Sequence, residues 1–375
     1  MKSCRTLPHS RVSDQVIQDL GSLTAIDLSN IMSRRLTFPL FFIGNPLLDI
    51  QVTNGEKLLE KYNLKENDAI LASPEQMSIY EDVVNDYKPV YLSGGAAQNA
   101  ARAAAYVLPP ASVAYTGCVG DDDLSEKLRK ANRKEDVESA YQVKAEEKTG
   151  ACAVILTGVH RSLVTRLGAA EKFDSSHLSS DDIAPLIEAA THFYIGGFFL
   201  THGIESALII CKHALEAEKT VALNLAAPFI CQVAKAELEQ VFEYADFIIG
   251  NESEAVAWAE ASGLPSKDLG EIATALANFK KINAETPRTV VITNGAEPTT
   301  AVTAGSPAKT YPVQAIPPEK IVDTNGAGDA FAGGFIAAIL LGKSIDQAVE
   351  VGHKLGAICV TGAGPKLRYP KVRVL

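Results

Sequence analysis

From residue 38 onward, short apolar runs recur along the chain, separated by amphipathic stretches. Leu40-Phe41-Phe42-Ile43, Ser112-Val113-Ala114-Tyr115, His192-Phe193-Tyr194-Ile195, Val221-Ala222-Leu223-Asn224, Phe247-Ile248-Ile249 and Val290-Val291-Ile292 have the length and content of strands buried on both faces. Glu205 to Glu218 and Asp268 to Lys281 carry their apolar residues at helical spacing. The alternation predicts an α/β fold, a parallel sheet covered by helices on both faces. Ligands of such sheets gather beyond the carboxyl ends of the strands, where Asn45, Asn224 and Asn251 stand.

Two segments break the alternation. Residues 48–72 carry Asp49-Ile-Gln-Val and Asp68-Ala-Ile-Leu-Ala, and residues 141–172 carry Thr149 to Thr157 followed by Arg161 to Leu167. Gly158-Val-His160 between the last two runs predicts a hairpin. Together the two segments predict a small antiparallel sheet projecting as a lid, discontinuous in sequence. Residues 1–37 mix five basic with three acidic side chains and lack an apolar signal core; they are expected to be a dispensable extension, with Met32 as an alternative start.

At 375 residues and 47% hydrophobic the chain can bury a full core. A net charge of −10 and a pI near 5.3 argue against a nucleic-acid surface. No window approaches 18 apolar residues, so no membrane span is expected. The six cysteines are scattered without C-x-x-C spacing, which points to reduced thiols and a cytoplasmic, or cytoplasmic and nuclear, location. A monomer is expected.

Asp323-Thr324-Asn325-Gly326-Ala327-Gly328-Asp329, followed by Ala330-Phe331-Ala332-Gly333-Gly334, joins two bare glycines to an apolar helix start. A helix N-terminus offers unpaired N–H donors and a positive dipole end, which suit phosphate. Asp329 sets a carboxylate inside that anion-binding turn, placed to take a proton from an attacking hydroxyl. Far upstream, Gly94-Gly95-Ala96-Ala97-Gln98-Asn99 puts two glycines and an amide at a helix head, where Asn99 can both donate to and accept from a diol.

These two runs resemble the signatures of the ribokinase-like (phosphofructokinase-B) family of sugar and nucleoside kinases. Gly44-Asn45-Pro46-Leu47-Leu48-Asp49, Arg161-Ser162-Leu163, Gly197-Phe198-Phe199-Leu200, Asn224 to Phe229 and Gly250 to Glu254 are similar to segments of the branch acting on adenosine. The resemblance implies a ribokinase-like three-layer α/β/α domain over residues 38–375. It also implies transfer of the ATP γ-phosphate to the adenosine 5′-hydroxyl, with Mg²⁺. In that reading Asp329 is the base, the N–H groups of Gly326, Ala327 and Gly328 take the developing charge, and Arg161 comes from the lid to the phosphates. Asn45, Asp49, Gly94, Gly95 and Asn99 hold the ribose, Leu47, Leu163, Phe198 and Phe229 wall the purine, and Asn325 lies beside the anion turn. Asn251, Thr293, Gly295, Thr324 and His353 serve ATP, with His353 on a helix opened by a Ser344–Gln347 capping box, and Glu254 acts on Mg²⁺ through water.

Two positions depart from that pattern. Ala69 stands where some relatives carry Gln, and Glu171 where many carry Asn. Another ribokinase-like nucleoside or sugar kinase, or a nucleoside-binding regulator without catalysis, would keep much of the same sequence. A P-loop kinase is disfavoured, because Ala337 stands where the loop preceding Gly342-Lys343-Ser344 needs a glycine.

Overall fold

The computed structural model describes residues 38–66, 69–158 and 160–375; the expectations for residues 1–37 lie outside them. Ten strands come from the first half: β1 (Leu40–Ile43), β2 (Leu47–Thr53), β3 (Ala69–Leu71), β4 (Val90–Gly94), β5 (Val113–Thr116), β6 (Cys118–Val119), β7 (Val137–Ser139), β8 (Gln142–Val143), β9 (Gly150–Thr157) and β10 (His160–Arg166). Six follow: β11 (His192–Gly196), β12 (Thr220–Asn224), β13 (Phe247–Asn251), β14 (Thr289–Asn294), β15 (Glu297–Thr303) and β16 (Lys309–Tyr311).

The main sheet runs β16-β15-β14-β13-β12-β11-β1-β5-β7, parallel except for the antiparallel β14–β15 and β15–β16 pairs. Its strands alternate Leu40 and Phe42 to one face with Phe41 and Ile43 to the other, so each face needs its own helical cover. One face packs under α1 (Ala96–Val107), α3 (Ala327–Leu340) and α4 (Ile345–Val360). The opposite face packs under the helices Leu200–Glu216 and Lys235–Phe242, α2 (Glu252–Ala261) and the helix Leu269–Ala277. α1 and α3 lie close: a Cβ on Gly333 would fall 2.2 Å from the Ala100 carbonyl oxygen. The predicted capping box at Ser344 is present at the head of α4.

The second sheet, β3-β10-β9-β2-β4, contains the expected β9–β10 hairpin. It is mixed rather than wholly antiparallel: β2 pairs β9 and β3 pairs β10 in parallel, because those strands enter from separate excursions of the chain. It also recruits β4, outside the expected segments, while β8 pairs with β6 elsewhere. Period-two alternation gives this sheet two unlike faces. Ile50, Val52, Ala153, Ile155 and Val164 form a separate small core with Leu58, Tyr80 and Val83, whereas Asp49, Cys152, Leu163 and Thr165 face the main cavity. No helix among the described residues is long and apolar enough to cross a membrane.

Candidate active site

A cavity of about 320 Å³ opens between the small sheet and the carboxyl ends of β1, β11, β12, β13 and β14. Its floor lies where strand order reverses, between β1 and β11, as the doubly wound topology requires. Asn45 follows β1 there, buried, with Nδ2 donating to the Phe198 carbonyl at 3.4 Å. Its Oδ1 is buried with no hydrogen-bond partner, an acceptor aimed at something the chain does not supply.

Asp329 sits in the first turn of α3, three residues past the Gly326 N-cap. The turn needs Gly326: its φ is +76°, and a Cβ would lie 2.5 Å from Cβ of Pro365. Asp323 locks the same loop, accepting from the Asn325 N–H at 2.8 Å and the Gly364 N–H at 2.9 Å. No side chain caps α3, and Oδ2 of Asp329 accepts from Nδ2 of Asn99 at 2.8 Å. Burial pushes the Asp329 carboxyl up to about 6, against the pull of that hydrogen bond and of Arg102 and Arg161.

Two further carboxylates face the cavity. Asp49 lies against Gly94, where a Cβ would fall 2.2 Å from its Oδ1, so the glycine is what admits the acid. Burial raises Asp49 to about 7, opposed by Arg102 and Arg161. Glu254 is buried and likewise raised to about 7 by burial. Its two oxygens accept from Nδ2 and the backbone N–H of Asn251 at 2.8 and 2.9 Å, while Oδ1 of Asn251 caps α2. Among the described residues no cluster of three or more His, Cys, Asp or Glu is arranged to hold a metal.

The opposite end is apolar. Phe198 and Phe229 meet at 6.0 Å between ring centroids, tilted by 48°, and Leu47, Leu163, Ile70 and Leu167 share the lining with them. Leu163, Thr165 and Ile70 come from the small sheet, so that sheet roofs this end.

Of the residues expected at the site, Asn45, Leu47, Asp49, Gly95, Asn99, Leu163, Phe198, Phe229, Asn251, Glu254, Thr293, Asn325, Gly326, Gly328 and Asp329 line this one cavity. Gly94, Ala327 and Thr324 do not line it; Thr324 is exposed, its carbonyl accepting from the Ala327 N–H at 3.3 Å. Arg161 stands at its rim, Nη1 3.4 Å from Oδ1 of Asp323. Two further expected ATP residues are not brought in: Gly295 lies in the β14–β15 turn, and His353 is taken up by Oγ1 of Thr299 at 2.8 Å and the Phe331 ring. Of the two departures, Ala69 lines the roof, whereas Glu171 pairs with Lys172 at 3.2 Å away from the cavity. Sequence reasoning missed Cys152, Thr165 and Tyr194 in the lining; the first two could have been found from strand alternation alone.

The pfkB family of carbohydrate kinases matches residues 56–371. Adenosine kinase of Schizophyllum commune is 52% identical over 342 residues, covering 90% of this chain and 99% of its own. That of Saccharomyces cerevisiae is 44% identical over 345 residues, covering 90% and 99%. The structure of Anopheles gambiae adenosine kinase, in complex with P1,P4-di(adenosine-5) tetraphosphate, superposes with a TM-score of 0.84 at 39% identity, covering 87% of this chain and 96% of that one. Adenosine kinase from Schistosoma mansoni in complex with 2-fluoroadenosine gives 0.83 at 33% identity, covering 88% and 98%. With fold, cavity and sequence in agreement over nearly the whole described length, the chain belongs to the pfkB family of carbohydrate kinases, among the adenosine kinases.

Proposed function

We propose that this protein transfers the γ-phosphate of ATP to the 5′-hydroxyl of adenosine, giving AMP and ADP. One observation carries the reading: a single cavity joins an aromatic slot, Phe198 with Phe229, to a carboxylate, Asp329, set in a helix-N-terminal anion turn. The 2-fluoroadenosine and diadenosine tetraphosphate ligands of the related enzymes support the same choice of substrates.

Purine binds between Phe198 and Phe229 on one side and Leu47 and Leu163 on the other, burying flat apolar surface. The ribose diol meets Asp49, Asn45 Oδ1 and the backbone at Gly95, with Asn99 alongside. Asp329, ionised above about pH 6, accepts the 5′-hydroxyl proton. The new bond forms between O5′ and the γ-phosphorus as the bond to the bridging oxygen of ADP breaks, and the electron pair stays on ADP. N–H groups at the head of α3 hold the charge on the group in flight, preorganised and costing no reorganisation. Asn251, Thr293 and Asn325 lie along the course of the ATP phosphates. Arg161, carried on the small sheet, reaches them when that sheet closes, and closure excludes the water that would otherwise hydrolyse ATP.

The donor set fits a magnesium ion held mainly by water and phosphate oxygens: with Asp329 assigned to the base and Asp49 to the ribose, Glu254 is the cavity-facing carboxylate left for it, and Mg²⁺ takes few protein ligands. Bound there through water, Mg²⁺ would neutralise phosphate charge.

Asp329→Asn tests the chemistry. Turnover should fall about 10²–10⁴-fold with adenosine affinity kept, measured as AMP release and by calorimetry. Near-normal turnover would remove Asp329 from the mechanism.

A further inference from the structure

One buried cation has no part in the steps above. Arg102 is the only charged side chain of α1, in an otherwise alanine-rich helix, and it is 3% exposed. It does not line the cavity. Its Nη1 donates to Oγ of Ser93 at 2.8 Å, and Nη2 donates to the Ser93 carbonyl at 2.9 Å, to Oδ1 of Asn99 at 2.7 Å and to the Pro365 carbonyl at 3.3 Å. Nε lies 3.4 Å from Oε2 of Glu135.

The bond to Asn99 has a directional consequence. A guanidinium has no acceptor, so only the oxygen of the Asn99 amide can face it. The amide nitrogen must then point the other way, toward Oδ2 of Asp329 at 2.8 Å. Turning the amide over would press NH₂ against guanidinium and carbonyl against carboxylate, losing two hydrogen bonds at once. Burying an arginine is expensive, and a purely structural link between β4 and the C-terminal segment does not require a charge.

We propose that Arg102 is a positioning residue for the phosphoryl transfer: it fixes the Asn99 amide as a donor to Asp329 and so keeps the base aimed and ionised. The inference rests on the reading of Asp329 as the base in adenosine phosphorylation. Other groups also face that carboxylate: Arg161 from β10, Asp49 from β2, Glu254 from α2, Tyr194 from β11 and Cys359 from α4. None of them is itself altered when Arg102 alone is substituted.

The experiment compares Arg102→Gln, Arg102→Lys, Asn99→Ala and the Asn99→Ala/Arg102→Gln pair with wild type. It follows kcat, both KM values and the pH profile of kcat/KM, with circular dichroism to measure the folded fraction. Arg102→Gln should lower kcat about 10–100-fold, within the share a general base supplies, leave the KM for ATP within about threefold, and move the acid limb to higher pH. Arg102→Lys keeps the charge and should leave the limb near its wild-type place. It should not restore full turnover, because an ammonium lacks the planar fork that serves Ser93 and Asn99 together. In the Asn99→Ala background, adding Arg102→Gln should change kcat on its pH plateau by less than about threefold, since the amide that aims the base is gone and only the charge effect on the acid limb remains.

An unmoved acid limb in Arg102→Gln, with kcat falling no further than the folded fraction, overturns the proposal. So do fully additive losses in the pair. If Arg102→Gln does not fold, Arg102→Lys decides: wild-type kcat in that variant overturns the proposal. Wild type that is inactive on adenosine would instead overturn the functional reading itself, together with this inference; active wild type with unaffected Arg102 variants overturns this inference alone.

Discussion

Alanine at Gly328 should separate activity from stability. A Cβ built there meets nothing within 4 Å, and φ lies outside the left-handed region. The residue sits in the first turn of α3 and lines the cavity, so the added methyl occupies space meant for a ligand. On the folding side, replacing glycine in a helix gains about 0.5–1 kcal/mol through helix propensity and a less flexible unfolded chain. In a protein of this size that raises Tm by no more than about 2 °C. On the chemical side, the methyl stands over N–H groups that would hold the transferring phosphoryl oxygens. Losing one preorganised donor of this kind costs about 10²–10³ in kcat. Gly326→Ala is the control in the opposite sense: its +76° φ and a Cβ 2.5 Å from Pro365 make it destabilising, by about 1–3 kcal/mol. Thermal unfolding and ADP release at saturating substrate read the two effects separately. A Gly328→Ala protein turning over within about threefold of wild type would refute the anion role of this turn, and a clear fall in its Tm would refute the steric argument.

The Asp49 carboxyl is protonated to higher pH in the folded protein than in the unfolded chain, about 7 against 3.8. Its contribution to stability is therefore complete below pH 4 and lost as pH rises to about 7. Asp49→Asn removes that dependence, so its unfolding free energy in urea, relative to wild type, should improve from pH 4 to pH 8 by up to about 4 kcal/mol; a difference that does not vary with pH would contradict this. Because Asp329 must be ionised to act, kcat/KM should rise through about pH 6 in wild type, and a profile flat from pH 5 to 8 would count against a general base there. Arg288, 1% exposed, donates to the carbonyls of Phe242, Ala245, Leu276, Phe279 and Lys280. Arg288→Met strands these acceptors and should lower stability by about 3–5 kcal/mol without altering KM in the fraction that folds; an unchanged urea midpoint would show that water can replace it.

Much of the site was legible because its parts carry local chemistry. The two glycine runs announce close backbone approaches, and the fold brings Asn99 to Asp329 across 230 positions as those runs imply. The hairpin at Gly158 and the Ser344 cap follow from short-range rules and are present. Arg102 was not legible: one arginine in an alanine-rich helix reads as a solvent-facing residue until β4, Pro365 and Glu135 are seen to enclose it. The surroundings of His353 were hidden for a related reason. Its place on α4 follows from the Ser344 cap, but its contacts with Oγ1 of Thr299 and the Phe331 ring join residues distant in sequence. The mixed character of the small sheet depends on β2 meeting β9 and β3 meeting β10, long-range pairings that periodicity does not encode.

Acceptor choice separates a nucleoside kinase from a sugar kinase of the same fold. Wild type with ATP and Mg²⁺ should be given adenosine, inosine, guanosine, ribose and fructose side by side, with ADP and the phosphorylated product both quantified. Formation of AMP and ADP in equal amounts, with kcat/KM for adenosine far above the other four acceptors, is the expected result. Preference for a free sugar would contradict the purine roles of Phe198 and Phe229, and no product from any acceptor would contradict the kinase reading altogether.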